Sequence, residues 1–336
     1  MRTAPSGAGK KAGRVLLAIA LALAAAAEAR AEKINTAYIS VSPGSSTPIK
    51  IAKEARLFEK HGLDATVIFI SGSVRGIQAI LAGEIPIGEG AGPGLTTARL
   101  AGGDVVAIAT NLNVLPYYLV AQPNIKRPED LKGKIGGNHI PGTTAEFALR
   151  VGLKRIGLDP AKDVTLRVIG GSLDRMIALQ KGIVNFTVVT EAGRAAAEKL
   201  GYPTVVDMAK LRIPFPQNGL YTSTRLIRER PDLIRSYLRA YVEAIHFFKT
   251  RKEETIKIEE KYSRLTDRKA LEESWAWHAR YFLDAPYPYP EGYQTILQEL
   301  ALTNPKAAQA DAKDFVDMRF VKELEDSGFI KSLYAK

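Results

Sequence analysis

From Glu32 to Val206 the chain switches repeatedly between short runs rich in β-branched residues and amphipathic stretches. Alternation of this kind builds βαβ units, so it predicts α/β layers around a mostly parallel sheet. Strands are expected over 33–41, 64–70, 85–87 and 105–110. A helix is expected over 48–61, with Thr47 as N-cap, Pro48 in its first turn and Gly62 as its stop. Ser73 caps a helix running to Ala82. A glycine-rich turn, 88–94, leads into a helix ending near Leu100.

The pattern then repeats after an extended piece, 116–120, and a polar, turn-rich stretch, 126–133. Strands are expected over 134–137, 164–169, 184–189 and 204–206, and helices after Thr143, over 173–181 and over 192–200. A second extended piece, 219–223, follows Pro214 and Pro216, and beyond it the chain reads as helical. Two α/β lobes joined by two crossing segments account for this order. Residues 32–116 and 224–336 form one discontinuous lobe, and 117–223 form the other with the crossings. Small ligands favour a cleft between lobes and the strand ends at a topological switch point, and two crossings allow hinge closure.

The first 31 residues read as a secretory leader. Arg2, Lys10, Lys11 and Arg14 form a basic start, residues 15–27 are an apolar run, and Ala29-Arg30-Ala31 places small residues at a cleavage site. Without a paired arginine, the general secretory route and a periplasmic location are expected. Cleavage after Ala31 takes 31 of 336 residues and leaves 305. The leader carries five of the basic residues and one acid, so the net charge falls from +11 to +7. No Lys/Arg stripe with interleaved aromatics is present, which argues against a nucleic-acid partner. The sequence has no cysteine. Disulfides, a thiol nucleophile and a lipid-modified cysteine are therefore excluded. A soluble, unanchored monomer is expected.

The four histidines are scattered without metal spacing, and neither a P-loop nor a G-x-S-x-G elbow is present. No catalytic residue, metal or cofactor is expected. The candidates are instead ligand-binding groups in strand-end turns. Ser42, Gly44 and Ser45 follow the first strand, Ser73 begins the next helix, and Gly92 lies in the glycine-rich turn, where it permits close backbone approach. Asn111 and Asn113 end the fourth strand, with amides that donate and accept. Tyr117 lies on the first crossing, where strand alternation turns either it or Tyr118 inward. Gly142, Thr143 and Thr144 form the turn of PGTTAEF, whose helix start leaves free N–H groups for an acceptor. Thr143 with Glu146 also fits a capping box, which would bring a carboxylate to the same helix end. Ser172 heads the following helix. Asp174 and Arg175 are expected on its solvated face, and Tyr287 and Tyr289 at the rim of the cleft.

Three blocks are similar to a known family. AKEARLFEKHGLDATV (52–67), RPEDLKGKIGG (127–137) and DFVDMRFVKELEDSGFIKSLY (314–334) resemble periplasmic solute-binding proteins of the nitrate/sulfonate/taurine type, as does the PGTTAEF turn with its helix. The resemblance implies a type II periplasmic-binding fold, with the helical C-terminal part packed on the first lobe. It also implies capture of a small solute and transient docking of the closed form on an ABC permease. One departure from the family pattern concerns the third strand of the second lobe. It runs into Thr190-Glu191, which should turn Glu191 toward the cleft, where a carboxylate disfavours a simple anion such as nitrate or taurine. A ligand-sensing role is the alternative to import. Thiamine-pyrimidine synthases share the architecture but carry a cysteine-rich motif, which this chain lacks.

Overall fold

The structure, a computed structural model, describes residues 31–335. The leader expected over 1–31 lies, Ala31 apart, outside the described residues.

Strand β1 (Glu32–Tyr38) leads into α1 (Thr47–Glu54) and α2 (Leu57–Lys60), then β2 (Leu63–Phe69) and α3 (Ser73–Leu81). Next come β3 (Ile87–Gly90), α4 (Gly92–Leu100), β4 (Val106–Thr110) and the first crossing strand, β5 (Tyr118–Ala121). The second series is β6 (Ile135–Asn138), α5 (Thr144–Arg155), β7 (Thr165–Val168), α6 (Ser172–Gln180), β8 (Phe186–Val189), α7 (Glu191–Lys199) and β9 (Thr204–Asp207). The return strand β10 (Gly219–Thr222) precedes α8 (Thr224–Glu229), α9 (Pro231–Thr250), α10 (Lys252–Ser263), α11 (Arg268–Tyr281) and α12 (Pro290–Leu300). Three short helices close the chain: α13 (Pro305–Gln309), α14 (Arg319–Asp326) and α15 (Phe329–Tyr334).

The strands form two arrays of the same order. In one, β1 pairs with β2 in parallel, β3–β10–β4 form an antiparallel ladder, and β3 lies beside β1. The other runs β7–β6–β8–β5–β9. Each therefore reads second, first, third, crossing strand, fourth. A mostly parallel sheet was expected. The crossing strands instead run antiparallel to both neighbours, because each enters from the opposite lobe. All four βα strands of a lobe still point the same way, so their C-terminal ends share one edge.

The helix expected over 48–61 is broken at Ala55–Arg56, with Arg56 in the left-handed region at φ 54°. No glycine or proline signals this break. It swings Phe58 into the core, where its ring lies 5.1 Å from that of Tyr237. Thr47 does not cap α1; its hydroxyl reaches Glu259, and Ser46 occupies the cap position. The strand expected over 85–87 is shifted to Ile87–Gly90. A side chain at Gly90 would collide with the Tyr221 ring on β10, so glycine here permits strand pairing rather than a turn.

Helix α9 is the spine of the first lobe. Leu233, Ile234, Tyr237, Leu238, Tyr241, Ile245 and Phe248 recur at helical spacing and are all buried. They share a cluster with Ile49, Ile51 and Phe58 from the N-terminal third, so the C-terminal helices complete the first lobe. The second lobe packs Leu119, Leu149, Phe186 and Val188 with Phe215, and Ile296 of α12 joins that cluster from the C-terminal part. Truncating Phe58, fully buried in the first cluster, is expected to cost about 3–5 kcal/mol. Urea unfolding of Phe58→Ala against wild type measures this, and a loss below about 1 kcal/mol would show that Phe58 is not a core anchor.

Candidate solute-binding cleft

The strand-end edges carry turns whose backbone donors are held by buried side chains. One of these is the β1–α1 turn. The Gly44 N–H donates to Glu259 Oε1 at 2.6 Å, and Gly44 takes φ +77°. Its open face lies against the His278 ring on α11, where any Cβ would collide. Asn218, just before β10, donates from Nδ2 to the Ser45 carbonyl, to Ser45 Oγ at 3.1 Å and to Glu89 Oε1 at 3.3 Å. Glu89 Oε2 accepts the Ile39 N–H at 3.2 Å. Lys50 Nζ donates to the Ser40 carbonyl at 3.0 Å and lies 5.0 Å from the centre of the Tyr38 ring.

Lys50, Glu89 and Glu259 are all buried, two carboxylates against one ammonium. Burial pushes Glu89 and Glu259 up to about 7, opposed by their hydrogen bonds and by Lys50. Burial also lowers Lys50 to about 8 against the pull of both carboxylates. His278 is buried and held down to about 4, so it is neutral at pH 7. Its Nδ1 lies 2.8 Å from the Ser274 carbonyl, which can only accept. Nδ1 therefore carries the proton, and Nε2 keeps its lone pair.

On the second lobe, Thr143 caps α5. Its hydroxyl donates to the Ile140 carbonyl at 2.9 Å and accepts the Glu146 N–H at 3.4 Å. The expected capping box is only half made, because Glu146 turns to Arg150 on the next turn of the helix. Thr144 and Ser73 are both buried, and neither hydroxyl takes part in a hydrogen bond among the described residues. Ser73 does not cap α3; that position belongs to Gly72. Gly142, at φ +80°, brings this turn close to Val74 on the first lobe. Gly142 and Val74, chain neighbours of Thr143 and Ser73, are thus a close point between the two lobes.

Glu191 begins α7 and is buried. Arg194 pairs with Oε1, and Oε2 has no partner among the described residues. The field of Glu191 reaches His278, and burial together with this carboxylate raises the Tyr118 phenol. Both amide atoms of Asn111 and the Asn113 carbonyl oxygen are likewise buried and unpartnered.

The remaining candidates are placed as follows. Gly92 is pressed against Pro216 and Ile296, and its N–H bonds the Pro216 carbonyl. Tyr117 is buried among Leu115 and Phe215. Ser172 starts α6 beside exposed Leu173, and Ser42 donates its N–H to Ser40 Oγ. Arg175 is not solvated as expected. It is 2% exposed, and its guanidinium donates to the carbonyls of Gly170 and Val188, tying two strand ends. Tyr287 turns away to Glu325. Sequence reading missed Glu89, Lys50, Glu259, His278 and Asn218. Glu89 had a visible signal, a lone charge inside the glycine-rich run IGEGAG; Glu259, in the charged run EETIKIEEKYS, had none.

The raised carboxyl groups bind protons more tightly in the folded chain than in the unfolded one. Their contribution to stability is full below about pH 4.5 and is lost as pH rises through about 7. Neutral buried His278 acts in the opposite sense between about pH 4 and 6.5, so the carboxyl effect is isolated by comparison. Relative to Glu259→Gln, wild type is expected to lose stability between about pH 5 and 7. Urea midpoints across that range measure the difference, and a constant offset would show that Glu259 titrates normally.

The family model described as NMT1/THI5 like matches residues 44–255, more than half of the chain. A curated relative from Brucella abortus, described as a binding protein, is 36% identical over 127 residues, 37% of this chain. The chain spans only 38% of the length of the curated relatives it matches. Among solved structures, one from Bordetella bronchiseptica superposes with a TM-score of 0.75 at 20% identity, covering 89% of this chain and 98% of that one. The periplasmic aliphatic sulphonate binding protein SsuA from Escherichia coli superposes at 0.71 with 18% identity, covering 85% and 92%. At such identities the likeness is one of fold, and the two-lobe architecture is that of periplasmic binding proteins. With its family match across both strand series, the chain belongs to the NMT1/THI5-like family.

Proposed function

We propose that the chain is a periplasmic solute-binding protein that captures a small organic solute between its lobes and delivers it to an ABC permease. The observation that carries this reading is the close approach of the two lobes at Gly142 and Val74, beside helix starts that bear the buried residues Ser73 and Thr144. The Ser73 and Thr144 hydroxyls, without protein partners among the described residues, stand at helix starts, where backbone N–H groups also point outward. A guest between the lobes can satisfy such groups in place of water. The lobe boundaries are 32–116 with 224–336, and 117–223, and the protein acts as a monomer without a cofactor. It is a receptor rather than an enzyme: the sequence has no thiol, and its buried titratable groups hold the turns in place rather than face one another around open space. Fold likeness to sulfonate binders suggests an acidic solute, and Glu191 opposes the simplest of these.

The test is a thermal-shift screen of the mature chain against small carboxylates, sulfonates, aromatic acids, pyrimidines and amines. A cognate ligand at a hundred times its dissociation constant adds about 2.7 kcal/mol of stability. Failure of every compound to shift a folded protein would sink the reading.

The two threonines are expected to separate. Thr144→Ala should weaken the ligand at least tenfold, about 1.4 kcal/mol, with little change in stability. Thr143→Ala should cost about 1 kcal/mol of stability through the lost cap. Calorimetry and urea unfolding on each variant check the split, and unchanged affinity in Thr144→Ala would remove that hydroxyl from the site.

A further inference from the structure

Among the described residues, three ion pairs join the second lobe to the C-terminal helices of the first: Lys154–Glu299, Arg194–Glu273 and Lys199–Asp267. All three run in the same sense. The cation stands on the second lobe and the carboxylate on the first, so the facing surfaces are complementary in charge.

The pairs stand on both flanks of the cleft. Lys154, near the end of α5, reaches Glu299 on α12 beside the groove that α3, α4, α5 and α12 enclose. On the other flank, α7 and α11 lie together and run antiparallel, as the order of their pairs shows: Arg194 faces Glu273 at 3.7 Å, and Lys199 faces Asp267. Lys199 is the last residue of α7, and Asp267 is the N-cap of α11, where Oδ1 accepts the Ala270 N–H at 3.2 Å. Each charge therefore also suits the helix end it occupies. Arg194 is tied to its own helix by Glu191 and Glu198, and its guanidinium lies 5.3 Å from the centre of the Tyr118 ring on the first crossing. Its contact with Glu273 is the one that crosses to the other lobe.

None of the six side chains belongs to a crossing strand, so rotation about the crossings draws the members of each pair apart. The side chains are 23–52% exposed, which leaves them open to water and salt. A single pair of this kind is weak, but lobe opening parts all three at once. We propose that these pairs form an electrostatic latch that favours closed lobes without a solute and yields as ionic strength rises. The latch rests on the two-lobe division and on no particular solute. Because binding draws on closure, it also gives even an uncharged solute a salt-dependent affinity.

The test is the distance between the lobes in the mature chain without solute. The sequence has no cysteine, so spin labels attach only where cysteine is introduced. Gln78→Cys on α3 and Arg167→Cys on β7 are exposed positions, one on each lobe. Double electron–electron resonance is expected to show a short distance dominating at about 0.01 M NaCl and a longer one growing toward about 1 M, as the screening length falls from about 30 Å to about 3 Å. The closed-to-open ratio should fall about tenfold, the combined size of three exposed pairs of ordinary strength. Lys154→Glu with Lys199→Glu should invert the response, opening the lobes at low salt and closing them at high salt. The exchange of Lys154→Glu with Glu299→Lys should restore the original sense, with folding monitored by the melting transition. A distance that ignores salt in the labelled wild type, or a salt response that survives the double reversal unchanged, would overturn the latch. Lobes that ignore salt and still close on a library solute would overturn it while leaving the solute-binding reading standing.

Discussion

The carboxylate of Glu89 organises the first lobe. It sits on β3, in the gap where β3 lies beside β1 with no ladder between them. One oxygen accepts the Ile39 N–H just past β1, and the other accepts from Asn218 at the foot of the return crossing. A single side chain thus substitutes for missing sheet hydrogen bonds and joins three segments far apart in sequence. Burying a carboxylate is costly unless it is paired and hydrogen-bonded. Lys50 supplies the opposite charge, and Glu259 shares it from α10 while holding the Gly44 N–H. The cluster therefore fixes the β1–α1 turn and the hinge foot in one network.

That coupling gives the return crossing a defined posture. Asn218 also accepts the Asn111 N–H through its carbonyl, so the ends of β4 and β10 share the same support. Removing one member of a buried charged network leaves the others uncompensated, which costs more than its own contacts suggest. The turn it supports is equally exact. Gly44 needs a positive φ and has no room for a Cβ against His278, so only glycine satisfies both demands.

Much of the fold was legible because it depends on local patterning. Strands β2, β7, β8 and β9 follow from β-branched runs, and the N-cap at Thr143 and the stop at Gly62 from side-chain and backbone chemistry. The break at Arg56 was hidden, since it is imposed by packing Phe58 on Tyr237 across the lobe. The same distinction separates the site residues. Turn residues such as Gly44, Gly142 and Thr144 carry their signal in sequence. Lys50, Glu259 and Arg175 look like solvated charges on helices, and only the tertiary structure reveals that each is buried. The antiparallel crossings were missed for a related reason: strand direction is set by which lobe a segment enters from, and no residue encodes it.

The two flanks of the cleft are built differently. On one, α7 and α11 are in contact, with Arg194 reaching both Glu191 and Glu273, and His278 seated on Gly44. On the other, α5 approaches α3 and α4 across a groove, with Gly142 near Val74 as the close point. The first flank is held by charge, whereas the second has mostly apolar walls bounded by the Lys154–Glu299 pair. Opening about the crossings must therefore work against an ion pair on either side, Arg194–Glu273 on one and Lys154–Glu299 on the other.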